Sequence, residues 1–139
     1  YTIATLISLI NLKNHKYKIS YNNKVVNEEL LILASAASKY TGGGMLIAPD
    51  VLKEKKKINL LFAHKANLFD AFNLLMKVFS GQHLHHQLVK SFHSECVKIS
   101  TSSKNSWAGL VYGDGEFLGN LPVSTSLGTE KLLVLVPKI

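Results

Sequence analysis

The chain is 139 residues long, 47% of them hydrophobic, with sixteen lysines, no arginine and nine carboxylates, for a formal charge of +7. That length fits a single domain with its own core, and no apolar run reaches the roughly 20 residues that a membrane-crossing helix requires. Arginine is the side chain suited to bidentate contact with guanine or phosphate, so its absence argues against sequence-specific nucleic-acid reading. Lysine point charges suit a diffuse anionic surface such as a membrane face, although a coding bias toward lysine would give the same composition.

In chain order, Thr2 to Leu12 carries Ile3, Leu6, Ile7 and Ile10 at helical spacing and reads as an opening helix. Lys16 to Tyr21 alternates, Asn22-Asn23 supplies a turn, and Lys24 to Ala37 returns as the second strand of a hairpin. Gly42-Gly43-Gly44 follows, with Met45-Leu46-Ile47 expected to continue as a strand. After a strand over Lys57 to His64, Asn67 caps a helix running to Phe79, with Leu68, Phe72, Leu75 and Phe79 on one side and Gly81 just past its end. Strands over His93 to Thr101, Trp107 to Gly113, Glu116 to Leu118, Val123 to Leu127 and Lys131 to Val136 complete the chain. Short strands with turn residues between them predict a mainly β domain with a few helices, an antiparallel sandwich or barrel rather than a parallel βαβ sheet.

Two segments could carry chemistry. Asp114-Gly115 provides two residues that tolerate positive φ in a tight hairpin, and Glu116 is the first side chain beyond it, placing one carboxylate at a sheet rim. A Glu beside such a turn is ordinarily solvated, so the motif alone decides nothing. Gly42, Gly43 and Gly44 would let backbone N–H groups approach an anion, but phosphate-cradling loops normally open a helix, and a bulge or plain loop is expected here. His83, His85 and His86, with His64 and His93 elsewhere, lack the convergent third and fourth ligands of a zinc site, so no metal site is expected from them. Cys96, the only cysteine, lies in an alternating run and is expected to be a buried, inert thiol. The start Tyr1-Thr2-Ile3-Ala4 shows no basic leader, and a cytoplasmic location is the expectation.

The order of these landmarks adds information that none of them holds alone. Gly42-Gly43-Gly44-Met45-Leu46-Ile47-Ala48-Pro49-Asp50, then Gly81-Gln82-His83, Asp114-Gly115-Glu116, Pro122 and the closing Leu132-Leu133-Val134-Leu135-Val136-Pro137 resembles the C-terminal half of the diacylglycerol kinase and sphingosine kinase family of lipid kinases. The resemblance runs from Tyr1 to Pro137. It implies one β-sandwich domain over residues 1–139, separate from an N-terminal domain that carries a Gly-Gly-Asp-Gly-Thr nucleotide motif; no such motif occurs in this sequence.

By that resemblance the parent enzyme transfers the γ-phosphoryl of ATP to a lipid hydroxyl at a membrane surface, with ATP and magnesium held mainly by the N-terminal kinase domain. Glu116 is then the candidate proton acceptor, Asp114 the turn former, and Gly42, Gly43 and Gly44 part of the cleft between the domains. The isolated chain is expected to be inactive. Two departures stand out: Lys53-Glu54-Lys55-Lys56-Lys57 occupies the loop where family members carry an Asp-Gly pair near a structural magnesium, and Ala37 stands where they carry Asn. Lysine repels a cation, so that magnesium site is expected to be lost. A non-catalytic lipid- or protein-binding module of the same fold, and an NAD kinase-like C-terminal domain, are the alternatives.

Overall fold

The long second strand organises the domain. The computed structural model describes residues 13–54, 56–103 and 106–129; the helix expected over 2–12 and the strand expected over 131–136 lie outside them. Strand β1 (His15–Tyr21) turns through Asn22 and Asn23, both at positive φ, into β2 (Lys24–Ala36), as the Asn-Asn pair predicts. The first half of β2 pairs antiparallel with β1 from Lys24 to Leu30. Its second half pairs with β3 (Ile58–His64), and a register shift between Leu30 and Ile32 separates the two halves. Such a bulge bends a strand and lets one sheet fold over on itself.

Helix α1 (Leu68–Val78) follows β3 and leads to a short 3-10 turn over Gln82–His85. Strands β4 (Val89–Ser94) and β5 (Cys96–Thr101) come next, then β6 (Leu110–Gly113), β7 (Glu116–Asn120) and β8 (Val123–Ser126). The main sheet is six-stranded in the order β4-β3-β2-β1-β5-β8, all antiparallel, and β6 and β7 form a separate hairpin. Only Glu95 separates β4 from β5, yet β3, β2 and β1 lie between them in the sheet. The sheet must therefore curl until its halves face each other. Contacts across the curl agree: Tyr21 of β1 stacks on Phe92 of β4 with ring centroids 4.5 Å apart, and Ser35 of β2 meets Thr125 of β8 at 3.2 Å. The expected antiparallel, sandwich-like β architecture is thus what forms.

Inside the curl lies the core of Ile19, Leu30, Ile58, Leu60, Phe62, Val97 and Ile99, with Leu121 and Val123 packed on it. Burying each such side chain contributes roughly 1.5–3 kcal/mol. A smaller cluster of Leu61, Ala63, Leu74 and Val89 joins the outer face of β3 and β4 to α1. Because β3 is covered on both faces, Ile58 to Ala63 are all buried, and the strand reads as an apolar run instead of an alternating one.

Several expectations are corrected. The strand expected over His93–Thr101 begins only at Cys96, and His93 and Ser94 instead close a strand from Val89 that the sequence did not suggest; Ser94 is buried and its hydroxyl donates to the carbonyl of Cys96 at 2.7 Å where the chain turns between the sheet halves. Trp107 opens no strand; a 3-10 turn spans Ser106–Gly109 and β6 starts at Leu110. Met45-Leu46-Ile47 does not continue as a strand, since only an isolated bridge joins Thr41 to Met45. Cys96 is exposed, with its Sγ 3.3 Å from the hydroxyl of Ser124. Asn67 caps α1 as read, its side chain accepting from the backbone of Asp70. The buried face, however, is Ala71, Leu74 and Val78, while Leu68, Phe72 and Phe79 point to solvent. Sequence periodicity located an apolar face but not the covered one, because α1 is apolar around most of its circumference.

Candidate functional site

The hairpin β6–β7 forms where the sequence places it. Asp114 (φ 50) and Gly115 (φ 88) both take left-handed backbone, the requirement of a two-residue turn that matches strand twist. Gly113 pairs with Glu116 and Tyr112 with Phe117, whose rings meet edge to face at 5.6 Å. The backbone N–H of Leu121 donates to the carbonyl of Gly109 at 2.7 Å, closing the hairpin's base next to residues anchored in the main core. Glu116 and Asp114 are exposed, and neither side chain makes a hydrogen bond or ion pair among the described residues. Tyr112, Phe117 and Leu118 around them are exposed as well. The result is an uncommitted carboxylate on an apolar rim, an arrangement able to accept a proton from a hydroxyl brought to it.

Gly42, Gly43 and Gly44 form the tip of a small loop closed by reciprocal 3.0 Å bonds between the backbones of Thr41 and Met45. Gly43 and Gly44 are left-handed, and nothing would crowd a Cβ at either. Their surroundings are open rather than a closed cradle. The following segment is tied down firmly: Leu46 N–H donates to Val78 O at 3.1 Å, Ala48 N–H to Lys39 O at 3.1 Å, and His83 Nε2–H to Ile47 O at 3.1 Å. The His83 bond fixes the tautomer, leaving Nδ1 unprotonated, buried and without a partner. Burial holds this imidazole below its ordinary pKa, and the bond to Ile47 offsets that only in part. His83 is therefore a structural strut, as the Gly81-Gln82-His83 spacing suggests. Among the described residues no hydrogen bond or ion pair joins the glycine loop to the β6–β7 hairpin.

The lysine-rich loop is knit by its own charges. Lys53 Nζ lies 2.8 Å from Asp50, and Lys57 Nζ lies 2.6 Å from Glu54. The hydrogen bond from Lys57 holds the Glu54 carboxyl below its ordinary pKa, and Glu54 in turn raises the Lys57 ammonium. His93 reaches the same loop, donating from Nε2 to Asp50 O at 2.9 Å with Nδ1 3.4 Å from Glu54. These links escaped the sequence reading, although Glu54 three residues before Lys57 was a local signal. An open cleft of about 630 Å³ lies beside the loop, lined by Pro49, Asp50, Lys53, Gly81, His85 and His93 and not by Glu116. Both carboxylates of this loop hold lysines, and no three His, Cys, Asp or Glu side chains converge among the described residues. The remaining histidines stand apart, His64 beside Glu28 at 3.6 Å and His86 accepting from Leu88 N–H at 3.3 Å.

Comparison with known proteins gives a match to the family described as YegS C-terminal NAD kinase beta sandwich-like domain over residues 1–136. Two curated relatives are diacylglycerol kinases, from Bacillus subtilis (strain 168) at 25% identity and from Staphylococcus carnosus (strain TM300) at 24%. Each alignment covers 99% of this chain and 44% of the relative, so the chain spans less than half their length. Among solved structures, two candidate diacylglycerol kinases from Bacillus anthracis str. Sterne superpose with TM-scores of 0.67 and 0.62 at 16% and 17% identity. They cover 89% and 91% of this chain and 41% of each of those chains, a likeness of fold.

Proposed function

The chain belongs to the family of YegS C-terminal NAD kinase beta sandwich-like domains, and from that premise we propose that it is the C-terminal half of an ATP-dependent lipid kinase acting on a diacylglycerol or sphingoid-base type hydroxyl. Its curated relatives are diacylglycerol kinases that extend well beyond this domain. The observation that carries the reading is the exposed, unpartnered carboxylate of Glu116 on the apolar rim of β6–β7, within a domain matched along almost all of its length.

In this reading the N-terminal kinase domain holds ATP and magnesium, which supply the phosphoryl group and neutralise its charge. Glu116 would accept the proton of the lipid hydroxyl as that oxygen bonds to the γ-phosphorus and the bond from the γ-phosphorus to the β-phosphate oxygen breaks, releasing ADP, and Asp114 sets the turn that aims it. Tyr112, Phe117 and Leu118 offer apolar surface to the lipid as it approaches from a membrane face. The loop over residues 50–57 is held by Lys57–Glu54 and Lys53–Asp50 in place of a cation. Gly42, Gly43 and Gly44 border the cleft between the domains without ligating phosphate. Assay of the parent protein with diacylglycerol in mixed micelles tests the proposal: magnesium-dependent phosphatidate formation supports it, and lipid binding without turnover favours a non-catalytic module.

A further inference from the structure

The outer face of β1 and β5 gathers positive charge that the fold does not use. Tyr17, Ile19 and Tyr21 of β1 turn inward with Val97 and Ile99 of β5. Strand alternation therefore sends Lys16, Lys18 and Ser20 outward beside Lys98 and Ser100, and all three lysines are exposed. Lys18 pairs with Ser100 and Ser20 with Lys98, so the two lysines are diagonal neighbours about 7–8 Å apart, and Lys16 stands about 7 Å further along β1.

None of the three lysine side chains makes an ion pair or hydrogen bond among the described residues. The carboxylate that this face offers, Glu29 opposite Lys16, already meets Lys65 at 3.4 Å. Like charges this close repel within one screening length, about 8–10 Å, so the cluster contributes nothing to folding. Two open hollows of about 540 and 490 Å³ run along the face, and Lys18 and Ser100 wall both. Pro122 and Val123 close the second, at the point where the hairpin that carries Glu116 feeds into β8.

We propose that this face docks on an anionic phospholipid surface, with Lys16, Lys18 and Lys98 meeting the phosphates of separate headgroups. The spread of the amines selects the occupant. They fan over a sheet face instead of converging on one point, which suits a plane of many phosphates better than a single phosphate ion. Nucleic acid fits less well, because the outward side chains Ser20, Ser100, Ser124 and Ser126 between the lysines provide no ring on which a base could stack, and the chain has no arginine. Val25, 58% exposed and paired with Ser20, adds an apolar side chain to the same face. Docking here brings the base of the β6–β7 hairpin to the lipid. That consequence rests on the lipid-kinase reading, whereas vesicle binding is measured without turnover and stands or falls separately.

Sedimentation of the 139-residue chain with vesicles of phosphatidylglycerol and phosphatidylcholine at low ionic strength tests the proposal. Binding is expected to these vesicles and not to phosphatidylcholine alone, and it should weaken steeply as salt rises. Each lysine should be worth about fivefold in partitioning, so Lys16→Gln, Lys18→Gln and Lys98→Gln together should weaken binding by about 100-fold. Lys39→Gln, Lys77→Gln and Lys90→Gln together remove the same charge from other parts of the fold and should cost only a few-fold. Equal losses in the two triple variants, or no binding by the native chain, would overturn the proposal. Reductive methylation of lysines in the native chain, read by mass spectrometry, requires no variant. Vesicles should protect Lys16, Lys18 and Lys98 several-fold more than Lys39, Lys77 and Lys90. Uniform protection, or protection by inorganic phosphate or single-stranded DNA but not by vesicles, would overturn the assignment to a lipid surface.

Discussion

His83 donates from Nε2 to the carbonyl of Ile47 at 3.1 Å, so the turn after α1 supports the segment that follows the glycine loop. The ring is buried and its other nitrogen has no partner, which makes the neutral form the one the fold requires.

Stability should therefore fall in mild acid. Burial lowers the folded-state pKa of His83 below its unfolded value near 6.5, so the unfolded chain binds the proton more readily. Its contribution is fully present above about pH 6.5 and is lost as pH falls from there through the folded pKa. Urea midpoints measured between pH 7.5 and 5 should decline in the native chain. The decline should be shallower in His83→Gln, which starts less stable but has no proton to take up. Parallel curves for the two proteins would remove His83 as the cause.

Lys56 adopts φ 63 in the loop before β3, a conformation that a side chain with Cβ disfavours by about 1–2 kcal/mol. Lys56→Gly relieves that strain but gains entropy in the unfolded chain, worth roughly 0.4–1 kcal/mol in the opposite direction. A net gain of about 0.5–1 kcal/mol is expected, a rise of some 2–4 °C in Tm. Lys56→Ala keeps the Cβ and should give no comparable rise. A gain in the alanine variant equal to that in the glycine variant would trace the effect to lost charge.

The two turns with positive φ, Asn22-Asn23 and Asp114-Gly115, were legible in sequence because their residue types are the ones such backbone admits. The cap of α1 by Asn67 and the strands β1, β2, β3, β7 and β8 were legible for similarly local reasons, whereas β4 was not. The curl of the sheet was not, since it depends on β2 changing partners at Leu30–Ile32 and on β4 and β5 parting at Glu95. Those are long-range pairings that no short window records. The exposure of Cys96 followed from the same cause: with β8 reaching only Ser126, alternation alone could not tell which side of β5 is covered. At the candidate site, the position of Glu116 after its turn was readable, but the engagement of Glu54 by both Lys57 and His93 required the fold to bring β4 against the loop.

Magnesium should leave the melting temperature of the isolated chain unchanged. Any ion bound only by the native state raises stability by RT ln(1 + [L]/Kd), about 2.7 kcal/mol at a hundred times Kd. With Asp50 and Glu54 already paired to lysines, titration to 10 mM (roughly physiological excess and beyond) is expected to give a flat response. The same preparation should show no phosphoryl transfer from ATP to lipid, because that reaction needs a nucleotide cradle to position the γ-phosphate. A saturable rise in Tm reversed by EDTA would establish a cation site, and turnover by the isolated chain would locate the whole machinery within it.

The proposed role of Glu116 is tested in the parent protein. The carboxylate is exposed and makes no hydrogen bond or ion pair among the described residues, so Glu116→Gln should shift Tm by no more than a degree or two, within the usual range of surface substitutions. If it takes the proton of the lipid hydroxyl, the amide cannot, and kcat should drop by about 10²-fold or more with little change in KM. Asp114→Asn separates this role from turn geometry, because Asn tolerates the same left-handed backbone that Asp114 adopts at φ 50. That variant should retain most of its activity. Wild-type kcat in Glu116→Gln would return this carboxylate to ordinary surface chemistry, and the domain would then stand as a lipid-binding module rather than half of an active site.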